Sequence, residues 1–275
     1  MTPTLAVGKC RWRWLDSGRR DRPTIVLLHG FTGCADVWEE IIAGLSGDYR
    51  CIAVDLPGHG ATECPAVVSS FRLPEVADQL ASFLDALAVS PVILWGYSMG
   101  GRLALQYALR HPRMLTHLIL ESASPGIEDP VQRDERRRSD DALAAHIESV
   151  GIDAFVEEWE NRPIFAGQHR LAEVKRARMR ELRRRNNATG LALSLRGMGT
   201  GAQPPLHDEL HGLALPTLLM VGESDQKFTA IGREMCARLP DATIRIIAGA
   251  GHSPYWEQPE AAVACVRQFL SGVTT

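Results

Sequence analysis

The sequence predicts an α/β fold: a mostly parallel sheet flanked by helices, with a helical cap inserted into it. Three observations predict this. Short apolar runs alternate with segments of helical spacing, the pattern of a sheet covered on both faces. Each run ends in Gly, Asp, Ser or His, which puts polar residues at the carboxyl edge of the strands, where open α/β sheets bind ligands. Between about residues 125 and 205 the alternation stops and no convincing strand is present.

Taken in order, "TIVLLHG" (24–30) is the first core strand, followed by helical spacing over 36–46. "CIAVDLPGHG" (51–60) leads to a helix over 73–88, "PVILWG" (91–96) to one over 100–110, and "HLILES" (117–122) to the insertion. "PTLLMVGESD" (216–225) and "TIRIIAGAGH" (243–252) resume the rhythm, with helices over 229–239 and 259–270. The core is therefore 1–124 and 206–275, and the cap 125–205, with breaks expected at Pro163 and Gly190.

A chain of 275 residues, 45% hydrophobic, buries a large core without metal or disulfide. Its net charge of −3 gives no field to attract nucleic acid or an anionic membrane, so neither is an expected partner. No apolar run approaches the ~20 residues that span a bilayer, and "MTPTLAVGKCRWRW" lacks a signal-peptide core, so a cytoplasmic location is expected. The cysteines at 10, 34, 51, 64, 236 and 265 form no C-x-x-C pair and are expected to be free thiols, with no metal site. The cap balances 13 Lys and Arg against 13 Asp and Glu over 125–190, yet "KRARMRELRRR" (175–185) is locally basic. That tract is either a solvated helix face or an anion-binding surface.

Gly96-Tyr97-Ser98-Met99-Gly100 is a G-x-S-x-G turn between strand and helix, the nucleophile elbow of the α/β-hydrolase fold. A serine hydroxyl needs a base and an acid that orients the base, arriving in the order Ser, acid, His. Asp225 and His252 stand at strand ends in that order; Glu223 and Asp241 are rival acids that fit the strand ends less well. "LLHGFTG" (27–33) supplies a second element of an oxyanion hole, with the N–H groups of Phe31 and Met99 converging, and His29 supporting the loop. Arg102 follows Ser98 by one helical turn, on roughly the same face, where it can meet a substrate carboxylate or join a buried ion pair.

The segments "GYSMGGRLAL", "ESASPG", "EEWENRPIF", "GTGAQPPLHDEL" and "VGESDQKF" together resemble the SHCHC (2-succinyl-6-hydroxy-2,4-cyclohexadiene-1-carboxylate) synthase family of menaquinone biosynthesis, a branch of the α/β-hydrolase superfamily. The resemblance implies a lyase that eliminates pyruvate from 2-succinyl-5-enolpyruvyl-6-hydroxy-3-cyclohexene-1-carboxylate, with no cofactor and a polycarboxylate small molecule as its partner. It implies that Ser98, poised by His252 and Asp225, takes a proton next to the succinyl ketone, and that the enolate expels pyruvate at the adjacent carbon. It also implies carboxylate binding by Arg136 and Arg183, with Arg133, Arg137, Arg138, Arg184 and Arg185 as alternatives one register away, and packing of Tyr97 and Trp159 against the substrate. The tail "AGHSPYWEQP" (248–257) also suits esterases and carbon–carbon bond hydrolases, so a serine hydrolase acting on a small carboxylated substrate is the alternative, and a non-catalytic receptor is disfavoured by an intact triad.

Overall fold

The computed structural model describes residues 3–272. Eight strands form one sheet: β1 (Thr4–Val7), β2 (Cys10–Asp16), β3 (Thr24–Leu28), β4 (Arg50–Val54), β5 (Val92–Tyr97), β6 (Leu115–Glu121), β7 (Thr217–Gly222) and β8 (Ala242–Ile247). Their order is β1-β2-β4-β3-β5-β6-β7-β8. From β4 to β8 every pairing is parallel, while β1 and β2 are antiparallel additions at one edge. Strands β3, β4 and β5 are buried at every residue, which is why they read as unbroken apolar runs. The two antiparallel strands at that edge were not apparent in the sequence: β1 is exposed or half-exposed throughout, so no buried face marks it.

Helices α1 (Glu39–Leu45), α2 (Leu73–Ala86) and α3 (Met99–Arg110) cross between the first parallel strands. One face of the sheet packs Trp12 of β2 on Phe83 of α2, with ring centroids 5.1 Å apart. The other packs Trp38, Trp95 and Tyr255 together, with centroid distances of 5.1 and 4.5 Å. Between β6 and β7 the chain forms α4 (Pro130–Glu160), a 3-10 stretch over Pro163–Arg170, α5 (Glu173–Arg184) and α6 (Ala188–Met198). After β7 come α7 (Gln226–Arg238), β8, the short α8 (Pro254–Glu257) and α9 (Pro259–Leu270). Among the described residues no helix is long and apolar enough to cross a membrane.

Two sequence expectations are corrected here. Cys10 and Cys64 are joined in a disulfide, leaving Cys34, Cys51, Cys236 and Cys265 as free thiols. The two are 54 residues apart in sequence, but the bridge between Arg11 and Glu63 lays the second segment beside β2 and brings their Cα atoms to 4.3 Å. Gly190 does not break the cap; it sits in the first turn of α6, where its N–H donates to the capping Asn187 side chain. A Cβ there would come within 2.6 Å of the Gly58 carbonyl oxygen, so glycine serves a close approach of cap to core. The unforeseen break is at Gly151, whose φ of 79° splits α4 into two helical stretches.

Most cations of the basic tract, some of them exposed, are paired with carboxylates of the core and of α4. Lys175, Arg178 and Arg185 reach Glu40, Glu39 and Asp36 of the core, and Arg180 and Arg184 reach Glu160 and Glu157 of α4. Asp36 also receives Arg13, which bridges it to the buried Asp55. Asn186 completes the seam: its amide donates to the Thr32 carbonyl and its oxygen accepts from the Gly60 N–H, both at 2.8 Å. The exposed pairs contribute under about 1 kcal/mol each. The buried Asn186 contacts fix where the cap meets the core.

Candidate active site

Ser98 lies one residue past β5 with φ 51° and ψ −107°, a strained elbow that lifts its side chain above the sheet edge. Glycine is obligatory on both sides: a Cβ at Gly96 would fall 2.2 Å from the Gly100 carbonyl oxygen, and one at Gly100 2.2 Å from that of Leu28. His252 Nε2 lies 3.2 Å from Ser98 Oγ, and its Nδ1 lies 2.6 Å from Asp225 Oδ2. The other Asp225 oxygen accepts from the Phe228 N–H and caps α7, which holds the carboxylate in place. The rival acids are elsewhere: Glu223 accepts from the Gly249 N–H, and Asp241 lines a separate cavity beside β8.

Phe31 and Met99 offer backbone N–H groups that make no hydrogen bond among the described residues. His29 holds the loop that carries Phe31: its Nε2 accepts from the Leu56 N–H at 3.0 Å and its Nδ1 lies 2.8 Å from the Gly30 carbonyl oxygen. Complete burial pushes its pKa down, so the neutral ring with a proton on Nδ1 satisfies both contacts. A hydroxyl with a base, an oriented base and two free N–H donors on neighbouring segments is equipped for proton transfer or acyl transfer at a carbonyl compound.

These groups open on a cavity of about 830 Å³ roofed by the cap. Its lining includes four cations: Arg102, Arg136, Arg162 and Lys227. Arg102 is buried and donates to the Met198 carbonyl at 2.6 Å and to Gln203 Oε1 at 3.3 Å. No carboxylate among the described residues lies within ion-pair distance of it, and Asp140, which pairs with Arg136, acts on it only from farther off, so the buried ion pair weighed from sequence is not what holds it. Burial, with Arg136 adding, pushes its pKa down from 12.5 to about 10. Arg136 is half-exposed and paired at 2.8 Å with Asp140. Arg162, over the Trp159 ring at 4.7 Å, and Lys227 have no ion pair among the described residues. Sequence reasoning missed both, although they lie inside two of the segments that carried the resemblance.

Arg183 is placed differently from the sequence expectation. It is buried and not among the residues that line the cavity; its guanidinium lies 4.8 Å from the ring of Phe165, which does line it, and donates to Gln168 Oε1 at 3.4 Å. Tyr97 lines the floor and its hydroxyl lies 2.7 Å from Ser253 Oγ. Trp159 packs edge-on to Phe31 at 5.3 Å, and its buried indole N–H has no partner among the described residues. Ser122, just past β6, also lines the cavity; its φ is 46°, and its fully buried hydroxyl has no partner among the described residues.

The α/β hydrolase fold family profile matches residues 23–259. A Bacillus subtilis (strain 168) protein is 41% identical over 96% of this chain and 96% of its own length, and its name gives 2-succinyl-6-hydroxy-2,4-cyclohexadiene-1-carboxylate synthase provisionally. The synthase of that name from Enterobacter sp. (strain 638) is 34% identical over 92% of this chain and 94% of its own. Among solved structures, MenH from S. aureus superimposes with a TM-score of 0.88 at 32% identity, covering 94% of this chain and 97% of that one. A malate-bound thermophilic esterase from Thermogutta terrifontis superimposes with a TM-score of 0.85 at 26% identity over the full length of both.

Proposed function

This chain belongs to the α/β-hydrolase fold family and, within it, to the SHCHC synthases, and from that membership we infer a lyase that eliminates pyruvate from the enolpyruvyl cyclohexene carboxylate of menaquinone biosynthesis. The observation that carries the reading is the cation set around Ser98. A substrate with three carboxylates needs placed positive charge, and an enzyme of net charge −3 supplies it locally through Arg102, Arg136, Arg162 and Lys227.

His252 accepts the Ser98 proton, and Asp225 stabilises the imidazolium that forms. The Ser98 oxygen removes the hydrogen from ring carbon 2, beside the succinyl ketone, while the N–H groups of Phe31 and Met99 hold the enolate oxygen. The substrate's numbering corrects one step of the sequence reading. The leaving oxygen is on carbon 5, across the ring alkene from carbon 2, so electrons flow through that alkene to give the 2,4-diene. The carbon 5–oxygen bond breaks, the electron pair leaves with the enolpyruvate oxygen, and a proton returned from His252 completes pyruvate. Arg183, which does not line the cavity, would touch a substrate carboxylate only after a rearrangement of the cap.

Purified protein mixed with fresh enolpyruvyl substrate should release pyruvate, read through lactate dehydrogenase, well above the spontaneous rate and not in Ser98→Ala. Background release together with rapid hydrolysis of a simple aryl ester would favour the serine hydrolase instead.

A further inference from the structure

Ser122 combines three costs in one residue. Its φ of 46° is a left-handed conformation that a residue with a Cβ adopts at about 1 kcal/mol or more. Its side chain is fully buried, and its hydroxyl finds no partner among the described residues, a loss of about 1–3 kcal/mol. Glycine or alanine would relieve one or more of these. A buried, unpartnered hydroxyl in the wall of the reaction cavity points to a hydrogen bond completed by what binds there.

The sheet register says where that bond falls. Tyr97 of β5 and Glu121 of β6 are paired, so Ser98 and Ser122 are the next residues on adjacent strands, and the Ser98 N–H donates to the Glu121 carbonyl at 2.8 Å. The Ser122 N–H is tied to the Met220 carbonyl at 2.9 Å, fixing its backbone against β7. Phe31 is in the loop that follows β3, the strand on the opposite side of β5 from β6. A substrate with its enolate oxygen toward Phe31 and carbon 2 over Ser98 therefore directs the far side of its ring toward Ser122. Neighbouring strands are about 4.8 Å apart, comparable to the reach across a six-membered ring from the hydrogen on carbon 2 to an oxygen on carbon 5.

Resting on the lyase reading above, we propose that the Ser122 hydroxyl donates a hydrogen bond to the departing enolpyruvyl oxygen. It transfers no proton; it stabilises the negative charge that grows on this oxygen as the carbon 5–oxygen bond breaks. The missing partner is then a feature of the unliganded site, supplied when substrate arrives, while the strained backbone holds the hydroxyl in place.

The test compares wild type, Ser122→Ala and Ser122→Gly by pyruvate release, thermal unfolding and deuterium exchange at carbon 2 in heavy water. Both variants should fold with an unfolding temperature equal to or above wild type, while kcat falls between about tenfold and about a hundredfold, the scale of losing one donor to developing charge. Because bond breaking is slowed but proton removal is not, recovered substrate should carry more deuterium at carbon 2 than with wild type. Unchanged kcat, or a fall in kcat matched by a fall in unfolding temperature without added exchange, would overturn the proposal. No release by the wild type would overturn the lyase reading itself, and the proposal with it.

Discussion

Replacing Arg102 by methionine separates a residue that holds the fold from one that waits for an anion. The guanidinium's drop from 12.5 to about 10 means that the folded protein penalises its charge by roughly 3 kcal/mol, at ~1.4 kcal/mol per tenfold change. That penalty is already net of its hydrogen bonds to the Met198 carbonyl and Gln203; removing the charge relieves it, against a cost of about 1–3 kcal/mol for leaving those acceptors unpaired. Arg102→Met, which keeps the buried volume, should therefore move the unfolding temperature by less than about 3 °C. A buried arginine paired with a carboxylate would behave differently, since its loss strands a charge and costs about 3–5 kcal/mol. In the coupled pyruvate assay the same variant loses a buried contact to a substrate carboxylate, worth about 2 kcal/mol or more, so kcat/KM should fall at least about thirtyfold. An unfolding temperature lowered by more than about 8 °C with kcat/KM unchanged would refute the reasoning and make Arg102 a structural residue.

Asp225→Asn keeps an oxygen for the α7 cap but offers His252 the wrong tautomer; kcat should drop by about 10⁴ with stability within about 1 kcal/mol, and a drop below tenfold would remove Asp225 from the mechanism. Glu121, buried against the Trp95 indole and the Tyr255 N–H, has its carboxyl pushed up from 4.5 to about 8 by desolvation. Its folded pKa is raised, so its contribution is fully present below about 4.5 and is lost as pH rises to about 8; denaturant midpoints should decline over that window, and Glu121→Gln should flatten the decline. Opening the Cys10–Cys64 disulfide frees a loop of 54 residues, which predicts a loss of up to about 4 kcal/mol in urea unfolding with reductant present; identical curves in oxidised and reduced protein would refute it.

The parallel core and the Ser, Asp, His order were legible because they depend on local signals: unbroken apolar runs, and polar residues where those runs stop. What the sequence concealed depends on contacts across the chain. β1 has no buried face to read, and Cys10 meets Cys64 only because the 63–64 segment pairs beside β2. Arg183 lies in a run of arginines whose spacing cannot tell that it would pack on the Phe165 ring and not line the cavity. Arg162 and Lys227 look like ordinary surface cations until the cavity is seen to pass beneath them. The strain at Ser122 is invisible in a stretch as plain as "ESASPG".

The Asn186 side chain links two parts of the protein that are usually treated as interchangeable modules. It grips the backbone at Thr32, next to the Phe31 donor, and at Gly60, while belonging to the junction of α5 and α6. A cap transplanted from a relative to change substrate preference would therefore bring its own hold on the oxyanion loop. A chimera whose junction lacks that amide would lose turnover even with every pocket residue correctly matched, and restoring one asparagine would recover it.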